Sequence, residues 1–344
     1  MKVGVLGLGT VGGANSRHWL NGVASTETIV HEFGHNYGLS HSNYWVFNST
    51  NAASTNPVDP TGVDEEYGDF WDVMGDGDVT RGHFHMAAKR YLSWLDANQF
   101  QQIDEAGDSG TYRVFRFDHK DSTGLQGLEI RKAADENYFV GFRRAFESND
   151  NYYNGAYILW ERPGSGGGDP SRNQGWIIDT TPESPAERQD AGISLGRTYS
   201  DLTAQVHITP IEVGGTSPDE YLDVVVNYGE FAGNNAPTVS ITAPGTGNAR
   251  EAIEFSASGN DGDGDTVVYS WDLGNGDVYP STSSISASFT VGGTYTVAVT
   301  VTDMKGGTET KTVQVVIDDP VNTWSNRTSG TGDNLTATAA NSTH

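Results

Sequence analysis

The densest potential chemistry in the chain lies in His31-Glu32-Phe33-Gly34-His35-Asn36-Tyr37-Gly38-Leu39-Ser40-His41. His31 and His35 are four apart, so on a helix both imidazoles leave the same face and can reach one metal ion. Gly38 tolerates the left-handed backbone that ends a helix and turns the chain back. That reversal brings His41 to the same point from another side. The result is three nitrogen ligands with a fourth tetrahedral position left for water, the arrangement Zn²⁺ favours. A three-imidazole set also lacks the carboxylate of the iron facial triad. Glu32, beside the first ligand, can take a proton from the water.

These residues need a helix, a sharp stop and a floor beneath the metal. Ser25 or Thr26 can cap the helix, Glu27 suits its first turn, and Ile29, Val30, Phe33 and Tyr37 recur at helical spacing. Downstream, Tyr67-Gly68-Asp69-Phe70-Trp71-Asp72-Val73-Met74-Gly75 reads as a tight turn presenting Met74. The pattern from Phe84 to Leu95 predicts an amphipathic helix. In their order and wording these pieces resemble the gametolysin-like metzincin metallopeptidases. The resemblance implies a secreted Zn²⁺-dependent endopeptidase that hydrolyses peptide bonds of extracellular proteins. It gives His31, His35 and His41 as metal ligands, Glu32 as general base towards a zinc-activated water, and Met74 as the apolar Met-turn floor. Some metzincins carry a Tyr ligand two residues after that Met; here the position is Asp76, so none is carried over. Catalytic domains of this family have several strands and a helix before the zinc helix, and only about 24 residues precede it here. Residues 1–100 therefore read as the C-terminal, incomplete portion of an α+β metzincin-type domain.

The opening residues offer a different chemistry. Gly7-Leu8-Gly9-Thr10-Val11-Gly12 follows an apolar stretch as G-x-G-x-x-G, the dinucleotide-binding pattern of a nicotinamide-linked oxidoreductase. That pattern needs a helix immediately afterwards, and Gly13–Gly22 is a poor helix. Its position before the zinc helix suits instead an edge strand on the rim of a substrate cleft, where His18 could touch substrate.

Composition narrows the partners. Lys and Arg total 20 against 45 Asp and Glu, a formal charge of −25, which disfavours nucleic acid and anionic membranes. There is no cysteine, so neither disulfides nor thiolate metal sites are available. No apolar run approaches a membrane span. A secreted, extracellular, bacterial protein acting on polypeptide substrates fits this profile.

The remainder reads as β-structure. Residues 42–66 form a long polar loop, and Asp59, Asp64, Glu65, Glu66, Asp69 and Asp72 crowd around it as a solvated acidic surface or, alternatively, a structural Ca²⁺ site. Residues 101–232 predict an antiparallel sandwich with strands at Thr111–Phe117, Gly127–Lys132, Tyr138–Phe142, Ala156–Glu161, Val206–Glu212 and Leu222–Tyr228. After a linker at Gly233–Pro237, residues 236–319 resemble a PKD (polycystic kidney disease) repeat, an immunoglobulin-like sandwich. The matching words are Asp261-Gly262-Asp263-Gly264-Asp265 and Tyr269-Ser270-Trp271-Asp272, with Trp271 as core. Asp261, Asp263 and Asp265 alternate as Ca²⁺ ligands do, without the distant Glu of an EF-hand, and read equally as an acidic turn. Residues 320–344 read as a disordered tail or linker. The PKD-like part would attach the enzyme to an insoluble matrix or surface. The rival reading is an inactive fragment acting as a surface- or glycan-binding β-sandwich protein.

Overall fold

A computed structural model describes residues 7–13, 15–22, 25–47, 54–76, 82–162 and 175–319. The first six residues, part of the polar loop (48–53) and the tail 320–344 lie outside the described residues. The architecture is predominantly β-sandwich.

β1 (Gly7–Gly9) and β2 (His18–Leu20) form an antiparallel hairpin, followed by α1 (Thr26–Asn36). Next come β3 (Asn43–Val46), β4 (Val63–Glu65) and α2 (Met86–Tyr91). The helix expected over 84–95 is thus only six residues long. Leu92 caps it, and Ser93 turns left-handed with φ 57°.

Eight strands and a short helix follow up to residue 201: β5 (Phe100–Ile103), β6 (Gly110–Phe115), β7 (Gly127–Ala133), β8 (Glu136–Gly141), α3 (Asp150–Tyr153), β9 (Gly155–Glu161), β10 (Gly175–Ile178), β11 (Ile193–Ser194) and β12 (Tyr199–Asp201). β13 (Val206–Gly214) and β14 (Tyr221–Tyr228) complete this part. One sheet runs β4-β3-β10-β9-β8-β7-β5, with β11 on β9, and a second runs β12-β13-β14-β6.

Alternation along the central strands gives the large sheet two buried faces. Ile130, Tyr138, Ile158, Trp160 and Trp176 face the second sheet, where they meet Ile208, Val224 and Val226. Phe139, Tyr157, Leu159 and Ile177 point the other way, onto Met86 and Ala87 of α2 and onto Trp71. This is why Ala156-Tyr157-Ile158-Leu159-Trp160 is apolar without a break.

The division expected at residue 100 is corrected here. β3 pairs in parallel with β10, Asn43 opposite Trp176, and Trp45 and Phe47 belong to the sandwich core. Residues before and after 100 therefore share one sheet and its packing. Within the described residues, the expected α+β portion amounts to α2 on that sheet, α1 against Met74 and Phe84, and the β1–β2 hairpin on α1. Long-range strand pairing outweighed the local composition break.

The last part has its own core. β15 (Thr238–Thr242), β16 (Thr246–Asn248), β17 (Ile253–Asn260), β18 (Val268–Asp272), β19 (Ser284–Ala287), β20 (Gly293–Thr302) and β21 (Thr308–Asp318) form two sheets, β15-β17-β19 and β16-β21-β20-β18. Between them lie Phe255, Trp271, Phe289, Val297, Val299 and Val301. It joins the preceding sandwich through Thr198 Oγ1 and Thr302 Oγ1, 2.9 Å apart, and Asn227 Nδ2 donating to Met304 O at 2.7 Å. No helix among the described residues is long and apolar enough to cross a membrane.

Candidate metal centre

Ser25 starts α1 as expected: its Oγ accepts from Thr28 N–H at 3.2 Å. Gly38, at φ 97°, stops it, with Gly38 N–H donating to His35 O and Leu39 N–H to Gly34 O. The chain then turns so that His31, His35 and His41 converge, their ligand nitrogens all within 4.8 Å of one another. Nε2 of His35 and Nε2 of His41 are 3.0 Å apart, near the roughly 3.3 Å between two nitrogens on a tetrahedral Zn²⁺.

Each imidazole is oriented by its other nitrogen. His31 Nδ1 donates to Val73 O at 2.8 Å, His35 Nδ1 to Leu39 O at 2.9 Å, and His41 Nδ1 to Glu66 Oε1 at 2.7 Å. With Nδ1 engaged by an oxygen acceptor, Nε2 is the nitrogen each imidazole has to offer a metal, the orientation such acceptors impose at metal sites. Burial lowers the pKa of His31 to about 4, helped by repulsion from His35 and His41, and burial also lowers His41. Both imidazoles are therefore neutral near pH 7, the state that binds a metal. Donor set, spacing and orientation all fit Zn²⁺.

Glu32 is buried, and its Oε2 has no hydrogen-bond partner among the described residues. Burial raises its pKa. A Cβ on Gly7 would overlap Glu32 Oε1, and one on Gly9 would lie 2.7 Å from Glu32 Oε2. The glycines that resemble a dinucleotide loop are thus the close lid of this carboxylate. β1 turns into β2, with Thr10 N–H donating to Arg17 O at 2.8 Å, so the next element after these glycines is a strand. His18, on β2, packs edge-on against Phe33 with ring centroids 4.9 Å apart.

Met74 is almost fully buried against α1. Its turn is built by Asp72, whose Oδ1 accepts from Met74 N–H at 2.7 Å and Ser42 Oγ–H at 2.9 Å, and whose Oδ2 accepts from His85 N–H. Ser42 N–H closes the circle on Met74 O at 2.9 Å. Val73, between them, supplies the carbonyl that holds His31.

The acidic residues around the polar loop are only in part the solvated surface expected of them: Glu66 is exposed, the others are not. Asp69 and Asp72 are fully buried, with Tyr157 O–H donating to Asp69 Oδ2 and the Arg143 guanidinium buried nearby between Phe117, Phe146 and Tyr157. Asp64 accepts from Asn43 and Trp176 at 2.7 and 2.8 Å, and Glu65 pairs with Arg188 at 2.7 Å. In the last module Asp261 Oδ1 accepts from Asp263 N–H and Asp265 N–H, and Asp265 pairs with Lys305. Neither acidic stretch gathers carboxylates around one point. Among the described residues, the three histidines are the one such metal-competent group.

Sequence reasoning missed Glu66, Asp72, Ser42 and Gly34 as members of this site. A usable signal existed only for Gly34, a helix-interior glycine, which is unfavourable unless something must come close.

Comparison with known proteins adds the rear module. Residues 234–317 match the PKD domain family model, and this segment is a PKD domain. Collagenase ColQ1 of Bacillus cereus (strain Q1) is 36% identical over 123 residues, 35% of this chain. The match spans only 12% of that collagenase's length. Among solved structures, the PKD1 domain of Vibrio anguillarum Epp is 37% identical, covering 25% of this chain and 99% of its own, with a TM-score of 0.23. The PKD1 domain of the Vibrio cholerae metalloprotease PrtV is 31% identical, covering 24% of this chain and 98% of its own, with a TM-score of 0.22.

Proposed function

We propose that the chain is part of a secreted bacterial zinc endopeptidase of metzincin, gametolysin-like type, acting on extracellular proteins and carrying a PKD module for attachment to a surface or insoluble substrate. The observation that carries this reading is the convergence of three imidazoles, each with its Nδ1 engaged by its own acceptor. Zn²⁺ held by His31, His35 and His41 would supply the Lewis acidity that peptide-bond hydrolysis requires.

The chain's own groups supply the rest. Glu32 Oε2 takes the proton from water and returns it to the leaving amine, and burial strengthens it as a base. Met74 closes the floor with a soft, weakly coordinating sulfur. Trp19, 54% exposed on β2, and the outer face of the hairpin are placed to meet extended substrate. The net charge of −25 selects protein over polyanionic partners.

Zinc analysis together with a casein-cleavage assay on the full chain tests the reading. Close to one Zn²⁺ per chain and chelator-sensitive cleavage are expected; a chain that takes up no Zn²⁺ sinks it.

A second reading, a binding protein without catalysis, draws on the cleft between the two rear modules. This cavity of about 490 Å³ is lined by Arg197, Asp190, Asp272, Asp277 and Tyr279, a polar wall suited to a hydroxyl-rich ligand. Binding of soluble glycans by a zinc-free, inactive chain would favour it.

A further inference from the structure

Glu66 and Tyr67 are neighbours in the chain, and both act on His41. Glu66 Oε1 accepts from His41 Nδ1 at 2.7 Å. The Tyr67 ring lies against the same imidazole, centroids 3.8 Å apart and planes 35° from parallel. It also lies 5.8 Å from the His31 ring at 25°.

His41 needs outside support more than its partners do. His31 and His35 stand on α1, whereas His41 leaves a turn beyond the helix end and precedes β3. The backbone of Tyr67 is left-handed, φ 63°, a conformation disfavoured for a bulky side chain and held only where surroundings over-determine it. They do so here. Tyr67 N–H donates to Asn43 Oδ1 at 3.1 Å, and Gly68 N–H donates to Glu65 O at 3.1 Å. Gly68 has no room for a side chain, since a Cβ would lie 2.8 Å from Tyr44 N. Asn43 opens the strand that follows His41, so the segment carrying the ligand also holds the ring that stacks on it.

We propose that Glu66 and Tyr67 form a clamp that positions the third ligand. Glu66 fixes the Nδ1–H tautomer of His41 and makes its Nε2 a stronger donor; Tyr67 fixes the ring plane. Both are positioning residues, and the proposal deepens the three-histidine reading on which it rests.

The test uses the full chain and Zn²⁺ in competition with a chromogenic chelator, together with ¹⁵N chemical shifts of His41 in the metal-free protein. Glu66 is exposed, so Glu66→Ala leaves the fold intact. It should weaken Zn²⁺ binding by about 10–100-fold, the scale of a lost outer-shell partner, and scramble the His41 tautomer. Glu66→Gln, which keeps an acceptor oxygen, should recover most of both. Tyr67→Phe should bind as the parent does, while Tyr67→Ala should bind more weakly. Parent-like affinity and tautomer in Glu66→Ala would overturn the clamp. A parent chain that takes up no Zn²⁺ yet shows a Glu66-dependent tautomer would remove the metal reading and leave the positioning role standing.

Discussion

Gly34 and Met74 are in direct contact. A Cβ added to Gly34 would overlap Met74 Sδ and lie 3.1 Å from Met74 Cε, so the sulfur rests on bare helix backbone one residue before His35. Helix α1 and the turn at Met74 are thereby set to one separation, and His31 and His35 are locked to that turn.

That contact predicts opposite outcomes for two small changes. Gly34→Ala gains up to about 1 kcal/mol of helix propensity but forces the Met-turn away, at about 1–3 kcal/mol of overpacking. A lower melting temperature and weaker Zn²⁺ binding are expected. Met74→Leu conserves volume and should cost below about 1.5 kcal/mol, keeping zinc. A Gly34→Ala chain as stable as the parent would show that the contact is loose.

Glu32→Gln separates base from ligand. All three imidazoles stay in place, so zinc should remain while casein cleavage falls at least ~10²-fold. Activity within a few-fold of the parent would take Glu32 out of the mechanism.

The glycines of β1 serve Glu32 rather than a nucleotide. Gly9→Ala would press a methyl against Glu32 Oε2 and His35 Cβ, so thermal stability should drop, by about 1–3 kcal/mol. Titration with a nicotinamide dinucleotide should leave the protein fluorescence unchanged in the parent. A saturable change would revive the oxidoreductase reading.

Acid dependence follows from Asp69. Burial, then the neighbouring Asp72, pushes its carboxyl up to about 6, above the ordinary value of about 3.9. The folded state therefore holds this proton where the unfolded chain has released it. Its contribution to stability is complete below about pH 4, declines as pH rises towards 6, and levels off above. His31, lowered to about 4, contributes the opposite trend over this range, so the readout is a difference: in melting curves, the stability of the metal-free parent relative to Asp69→Asn should fall as pH rises from 4 to 7. A parent-to-variant difference that stays constant across that range would take Asp69 out of the pH dependence.

The convergence of the three histidines, the glycine stop and the helix cap were legible in the sequence because each is a local pattern with a fixed offset. So were β7, β8, β9, β13 and β14, and the PKD core around Trp271. Glu66, Ser42 and Asp72 were not, since their roles depend on which distant donor meets each oxygen. Asp69 and Asp72 read as surface because an aspartate paired to buried donors looks, in sequence, like a solvated one. The parallel pairing of β3 with β10 left no trace in periodicity.

That pairing also sets a clock. Asn43, two residues after His41, meets Trp176 across the sheet, so β3, paired with β4 on one edge, lacks its partner on the other edge until about 130 further residues have been made. At about 5–20 residues per second, the ribosome takes on the order of ten seconds to supply it. Through that interval the strand that follows His41 has only the β3–β4 pair to hold it, and the sheet beneath the three histidines is still incomplete.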